Sequence, residues 1–154
     1  MGSVIRLTKE FAFESAHALA GYDGKCREIH GHSYRLFVTV AGTPSEREDD
    51  PKRGMVMDFG DLKRIVGSEI VDRLDHSFVM RRTPESERIA STLGGGFRNV
   101  ILVDYQPTCE NMLCDFAARL RAALPATVRL HSLRLHETAT SYAEWFAEDN
   151  LDDR

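Results

Sequence analysis

The strongest constraint on the fold is a pair of strand-forming segments near the N-terminus. Residues 4–13 roughly alternate apolar and polar side chains, and residues 34–41 are rich in aromatic and β-branched side chains. Both patterns are typical of β-strands, and the Gly42, Thr43 and Pro44 that follow end the second one. Residues 18–25 contain two glycines and an aspartate, which favour a loop. The sequence therefore predicts an antiparallel hairpin.

Two histidines directly precede the second predicted strand, as His30-Gly31-His32. If this segment is extended, a period of two places both imidazoles on one face. His17 is the obvious third ligand, and three imidazoles leave an open position on zinc, as catalytic sites do. We therefore predict a zinc site, although the ligand types alone do not exclude other divalent ions. The alternative is a surface loop that carries histidines by coincidence.

Cys26 lies four residues before His30 and has two interpretations. It could be a fourth ligand that closes a structural site, or a general base or nucleophile beside an open one. We favour the second, because a nearby divalent cation together with Lys25 and Arg27 would stabilise the reactive thiolate. We expect the other two cysteines, Cys109 and Cys114, to be buried and inert.

Asp75 and His76 follow directly after a predicted helix. A carboxylate that orients an imidazole makes a proton carrier near neutral pH. On general grounds a helix-end cap is the more common role of such a dipeptide.

Glu137 ends a predicted strand in a stretch apolar enough to be buried. A buried carboxylate is costly unless donors pair with it. The edge of an aminopyrimidinone ring has two adjacent N–H groups that would satisfy it in a bidentate manner, as a guanidinium does. The alternative is a salt bridge to Arg134 or Arg129.

The remaining elements are predicted from periodicity and from helix start and stop signals. We predict helices over residues 59–74 and 107–125, and further strands over residues 99–105 and 127–137. Four strands and two helices favour an α+β fold, with an antiparallel sheet and both helices on one face. The open edges of such a small sheet favour association with further copies of the chain.

Two segments are predicted to lie outside this framework. Residues 81–99 combine charged residues, a proline and three consecutive glycines, and we expect a mobile loop there. Residues 142–154 form an acidic tail with three aromatic residues, for which we expect a short amphipathic turn that docks on the sheet or on a neighbour.

Composition limits the class of protein. A chain of 154 residues is most simply one domain, residues 1–154. Twenty basic and 24 acidic residues give a net charge of −4, which argues against a general nucleic-acid binder. Three unevenly spaced cysteines argue for a reducing compartment, which we take to be the cytoplasm. The N-terminus has no apolar run long enough for a signal peptide or a membrane span.

Taken together, the motifs resemble those of the 6-pyruvoyltetrahydropterin synthase family over most of the chain. The shared motifs are Phe-Glu-Ser-Ala-His17, Cys26-x-x-x-His30-Gly-His32-x-Tyr34, Met-Asp58-Phe, Leu-Asp75-His76, Pro107-Thr108-x-Glu110-Asn111 and Glu137-Thr138. The resemblance implies a tunnelling fold, in which strands pair between subunits so that trimers close a barrel and two trimers stack as a hexamer. It also implies zinc on His17, His30 and His32.

The resemblance further implies roles for individual residues. Cys26 and the Asp75–His76 pair would transfer protons on the side chain of 7,8-dihydroneopterin triphosphate, while Glu137 anchors the pterin ring. Thr108 and Glu110 would contribute to substrate binding, and Lys25 and Arg27 are weaker candidates for the triphosphate. Bound zinc would acidify the C–H next to the side-chain oxygens.

The interval of three residues between Cys26 and His30 looks like the 6-carboxytetrahydropterin synthase branch, which serves queuosine and 7-deazapurine synthesis and also releases acetaldehyde. The tetrahydrobiopterin branch, which makes the pyruvoyl product, usually has a longer interval. The pyruvoyl product and cleavage of a related pterin remain alternatives among enzymes. A non-enzymatic zinc or pterin binder is the alternative from another class.

Overall fold

The computed structural model describes residues 2–151, which form one six-stranded mixed sheet and three helical regions. The strand order across the sheet is β4-β3-β1-β2-β5-β6. The strands are β1 (Ile5–His17), β2 (His30–Gly42), β3 (Ser77–Arg81), β4 (Val100–Val103), β5 (Arg129–His136) and β6 (Tyr142–Phe146). The helices are α1 (Phe59–Val66), α2 (Asp72–Leu74), α3 (Pro84–Leu93) and α4 (Cys109–Ala123). A π-helical turn (Gly67–Val71) joins α1 and α2 into one continuous helical region.

The predicted β1–β2 hairpin is confirmed, and it lies at the centre of the sheet with strands longer than the predicted ones. Its register pairs Ile5 with Gly42 at one end and His17 with His30 at the other. Because side chains alternate along a strand, the odd residues of β1 and the even residues of β2 share a face, which we call the inner face. The histidines of the predicted metal site therefore lie within the strands, on the inner face.

The inner face carries the core. Leu36, Val38 and Val40 of β2 are fully buried, and α1 and α4 contribute Leu62, Phe116 and Leu120 among others to the same cluster. Complete burial of each such side chain stabilises the fold by about 1.5–3 kcal/mol. The outer face keeps polar side chains such as Glu10 and Arg35, which pair across the strands.

The first helical region begins and ends close to the predicted residues. The Asp58 side chain caps α1 by accepting the N–H of Gly60. Asp75 ends α2 in an extended conformation, and His76 then takes a φ of 58°, in the left-handed region. This turn leads the chain into β3, which runs parallel to the end of β1.

The prediction of a mobile loop over residues 81–99 is wrong, because residues 84–93 form α3. Thr83 and Ser86 make a capping box in which each side chain meets the other's backbone N–H, and Pro84 occupies the first turn. Both features favour a helix start. The three glycines that suggested a loop follow the helix, and the irregular parts of the segment are residues 82–83 and 94–99.

The prediction of a four-stranded antiparallel sheet is also wrong. β3 was missed altogether, and it pairs in parallel with both β1 and β4. The predicted amphipathic turn at residue 142 is strand β6, which pairs antiparallel with β5. The part of the predicted tail after residue 151 lies outside the described residues. No helix within residues 2–151 is long and apolar enough to cross a bilayer.

Candidate active site

Three imidazoles converge at the open end of the β1–β2 hairpin. The ring centroids of His17, His30 and His32 lie 4.5, 4.9 and 5.1 Å apart. One ligand atom from each ring falls within 4.8 Å of the others. The hairpin register produces this cluster, because it pairs His17 with His30 and places His32 opposite Ser15 on the same face.

Backbone carbonyls orient two of the rings. His17 Nδ1 lies 2.7 Å from the carbonyl oxygen of Pro107, and His30 Nδ1 lies 2.8 Å from that of Glu28. A carbonyl oxygen only accepts, so each Nδ1 carries the hydrogen and each Nε2 keeps its lone pair. The two Nε2 atoms nevertheless face each other at 2.9 Å. A cation bound between them would satisfy both, and carbonyls that hold the distal N–H are the usual support of histidine metal ligands.

The surroundings of His32 show whether a metal ion fits the cluster. Its Nε2 is buried and 3.2 Å from Glu137 Oε1, but it lacks the alignment of a hydrogen bond and has no other partner within residues 2–151. Burial is the largest cause that lowers the pKa of both His17 and His32, which favours the neutral form that metal ions bind. The cluster therefore fits a metal ion held by three imidazoles.

A cavity of about 320 Å³ adjoins the cluster, and its lining combines several predicted site residues. They are His17, Cys26, Thr108, Glu110 and Glu137. Cys26 is half-buried on a 3-10 turn (Lys25–Arg27), and its carbonyl accepts the N–H of Leu19, which closes the loop between the two strands. This loop therefore brings the thiol to the side of the cavity that His17 occupies.

Glu137 follows directly after the last residue of β5 and lines the cavity. Its carboxylate lies beside His32, and neither Arg134 nor Arg129 forms the alternative salt bridge: Arg134 pairs with Glu144. Burial, reinforced by the charge of Glu137, raises the pKa of the neighbouring Tyr34 well above its ordinary value. Within residues 2–151, Glu137 is thus a carboxylate without a guanidinium partner, in a cavity that could admit a ligand.

The start of α4 forms another wall. Thr108 caps the helix by accepting the N–H of Asn111, and Glu110 follows in the first turn. Between them is Cys109, whose thiol donates to the carbonyl oxygen of Leu135 at 3.2 Å. Burial raises the pKa of Cys109 to about 11, so this thiol stays protonated near neutral pH. The expectation of a buried cysteine is correct for Cys109 and wrong for Cys114, which is exposed.

Asp75 and His76 do not line this cavity. His76 lies instead in a separate depression with Phe78, Phe97 and Asn99. Asp75 Oδ1 accepts the N–H of Glu14 at 2.9 Å and lies 3.1 Å from His76 Nδ1. The carboxylate therefore orients the imidazole, and the backbone hydrogen bond is the largest cause that lowers the pKa of Asp75.

Lys25 and Arg27 also lie outside the cavity lining. Both are exposed on the 3-10 turn, and Arg27 faces a smaller depression of about 220 Å³ beside Ile29 and Phe78. Pro107 and Cys109 are site residues for which the sequence alone predicted no role. Their proximity to Thr108 in the sequence was the available signal, because that motif begins the helix that forms the cavity wall.

Three converging imidazoles beside a thiol define a candidate metalloenzyme. The model of the family "6-pyruvoyl tetrahydropterin synthase" matches residues 6–148, and the chain belongs to this family. A 6-carboxy-5,6,7,8-tetrahydropterin synthase of Haemophilus influenzae is 37% identical over 143 residues, which are 92% of this chain and 99% of the relative. A Synechocystis protein of the same name is 34% identical and covers 90% of this chain and 91% of its own length. These relatives confirm the prediction of an enzyme of the lyase class.

Solved structures show the same fold. A 6-pyruvoyl tetrahydropterin synthase of Caenorhabditis elegans superposes with a TM-score of 0.66 at 21% identity, covering 94% of this chain and 96% of the other. An uncharacterized protein of Wolinella succinogenes reaches a TM-score of 0.70 at 22% identity, covering 94% and 98%.

Proposed function

We propose that the protein is a zinc-dependent lyase that converts 7,8-dihydroneopterin triphosphate to 6-carboxy-5,6,7,8-tetrahydropterin. The reaction consumes water and releases acetaldehyde and triphosphate. One observation carries the proposal: a single cavity combines His17 of the metal cluster, the Cys26 thiol and the carboxylate of Glu137. The near full-length relatives named 6-carboxy-5,6,7,8-tetrahydropterin synthase support the choice of product.

His17, His30 and His32 would hold the metal, and their nitrogen ligands favour zinc. When bound, zinc supplies Lewis acidity next to the oxygens of the substrate side chain.

The chain's own residues bind the substrate and move protons. Glu137 accepts two N–H groups of the pterin ring, while Thr108 and Glu110 border the same cavity. Cys26, as thiolate, removes the proton from the substrate side chain, because it lies on the loop that faces His17. Lys25 and Arg27 are exposed on the same turn, where they attract the triphosphate.

Asp75 and His76 act as the second proton carrier from a neighbouring subunit. Two observations support this: they lie outside the cavity of their own chain, and strands β4 and β6 leave both edges of the sheet open. Open edges favour pairing with another copy. We therefore propose a hexamer of two stacked trimers in the cytoplasm, the compartment that the cysteine content favours.

The direct test is to incubate the zinc-loaded protein with 7,8-dihydroneopterin triphosphate and to identify the products by mass spectrometry. We expect the carboxy product with equal amounts of triphosphate and acetaldehyde. The pyruvoyl product without acetaldehyde would instead assign the tetrahydrobiopterin branch. No release of triphosphate by a protein that contains zinc would contradict the proposal.

A Cys26→Ala variant separates the enzyme from a non-enzymatic zinc or pterin binder. If Cys26 is the base, the variant keeps its zinc and loses activity by about 10²- to 10⁴-fold. If Cys26 is a fourth ligand in a closed site, the variant loses zinc. Cys114→Ala is the matched control, because Cys114 is exposed on α4 outside the cavity, and it should change neither quantity.

A further inference from the structure

A β-bulge in β5 places an additional histidine on the outer face of the sheet. Leu130 pairs with Val40 and Ser132 pairs with Thr39, so His131 is an extra residue between them. A bulge disrupts the alternation of side chains and re-aims the extra one. The His131 ring accordingly contacts Phe146, the strand neighbour of Ser132, with ring centroids 6.1 Å apart.

Two arginines join this histidine. Arg6 of β1 and Arg129 of β5 both pair with Ala41 of the intervening strand, so they lie in one row across the sheet. Ala41, which lies between them, has a small side chain and is 1% exposed. Within residues 2–151 neither guanidinium forms an ion pair.

The three groups are close enough to affect one another. Burial lowers the pKa of His131, and the charges of Arg6 and Arg129 add to this, while the carboxylate of Glu148 opposes it. Glu148 is the only carboxylate that lines the depression within residues 2–151. Among the residues of 2–151 that line the depression, positive charges therefore outnumber negative ones, in a chain whose net charge is −4.

A depression of about 630 Å³ is lined by all of these residues. We propose that it binds a small phosphorylated anion, whose oxygens accept hydrogen bonds from Arg6 and Arg129 with His131 as a third donor. Unpaired guanidinium groups are suited to such oxygens because they donate two parallel hydrogen bonds. The long side chains of the two arginines approach the anion from opposite sides of Ala41.

This site is separate from the cavity of the proposed reaction. Arg6 and His17 lie near opposite ends of β1, a strand of 13 residues. At the usual rise per residue they are about 35 Å apart along the strand. The inference therefore does not depend on the proposed function.

Isothermal calorimetry at constant ionic strength tests the proposal, with inorganic phosphate, tripolyphosphate and ATP as probes. We expect saturable binding of tripolyphosphate to the intact protein. Arg6→Gln and Arg129→Gln should each weaken the binding at this site about tenfold or more, because each removes a charge-assisted contact. Arg88→Gln is the matched control, since Arg88 is an exposed arginine on α3 outside this depression.

Anion binding at the cavity near Cys26 would be unchanged in all of these variants. Tripolyphosphate that binds equally to the intact protein and to both variants would therefore overturn the proposal. An equal loss in Arg88→Gln, which reports net charge alone, would also overturn it. So would binding of ATP without tripolyphosphate, because recognition would then depend on the nucleoside. Circular dichroism of each variant shows whether it is folded.

Discussion

The histidine cluster and the Asp75–His76 pair are two imidazole sites built in opposite ways. In the cluster His17 is 3% exposed, and two of the three rings are fixed by backbone carbonyls. In the pair the His76 side chain is 79% exposed and its backbone has a φ of 58°. All three rings of the cluster belong to one chain. The pair lies outside the cavity beside the cluster, and His76 lines a different depression.

The difference shows what each site needs from the rest of the protein. A metal site must hold its ligands before the ion arrives, and burial together with carbonyl contacts achieves this. A proton carrier needs access to its substrate, and the exposure of the His76 side chain leaves that access open.

Removal of a cluster histidine should have the largest effect. His30→Ala deletes a ligand whose ring is already oriented by the Glu28 carbonyl. Loss of a group that only orients a metal ligand lowers metal affinity by about 10- to 100-fold. We expect the loss of the ligand itself to lower the affinity by more than this, and the activity to fall with it. Metal analysis after dialysis measures this, and a variant that retains stoichiometric metal would contradict the assignment.

His76→Ala should leave the metal in place and lower kcat about 10²- to 10⁴-fold, as expected for loss of a proton carrier. If the pair serves a neighbouring subunit, mixed oligomers of His76→Ala and Cys26→Ala should recover part of the activity. A mixture of His76→Ala and Asp75→Asn is the control, because both changes damage the same pair. If neither mixture recovers activity, the pair serves the site of its own chain.

The sequence allowed the cluster to be predicted because its parts are local. His30 and His32 are two residues apart on a strand, and strand periodicity alone places them on one face. The meeting of His17 with His30 follows from the hairpin register. The position of Asp75 relative to Glu14 depends on parallel pairing of β3 with β1, and no local pattern reveals such a non-local contact.

The missed elements have a similar explanation. Strands β3 and β6 have five residues each, too few for periodicity to stand out. Helix α3 has only one buried residue, Ser86, so it lacks the apolar stripe by which helices are recognised. The capping box at Thr83 was the signal that could have identified it.

The stability of the metal-free protein should fall as the pH falls below about 6.5, the ordinary pKa of histidine. Burial lowers the pKa of His17 in the folded state, so the unfolded chain takes up a proton that the folded chain does not. One such group changes the free energy of unfolding by at most about 1.4 kcal/mol per pH unit. Denaturant titrations at several pH values from 7 to 5 measure how the free energy of unfolding depends on pH. This dependence should be weaker for His17→Gln than for the unchanged protein, and an equal dependence would contradict the prediction.

His76→Gly should give the smallest change in stability among these variants, and it should be an increase. A side chain in the left-handed region costs about 1 kcal/mol, which glycine avoids. We expect the free energy of unfolding to rise by up to about 1 kcal/mol while activity is lost. Thermal unfolding beside an activity assay measures both, and a less stable variant would show that His76 makes contacts that outweigh its backbone strain.

All three histidines of the cluster belong to one hairpin, and this has a consequence for the order of assembly. Only the segment between β1 and β2 must close to bring His17 to His30, so the entropic cost of loop closure is small. Parallel pairing of β3 and β4 with β1 joins more distant segments and is slower. We therefore expect the histidine cluster to form early in folding, so that a nascent chain is able to bind a metal ion before the Asp75–His76 pair takes its place.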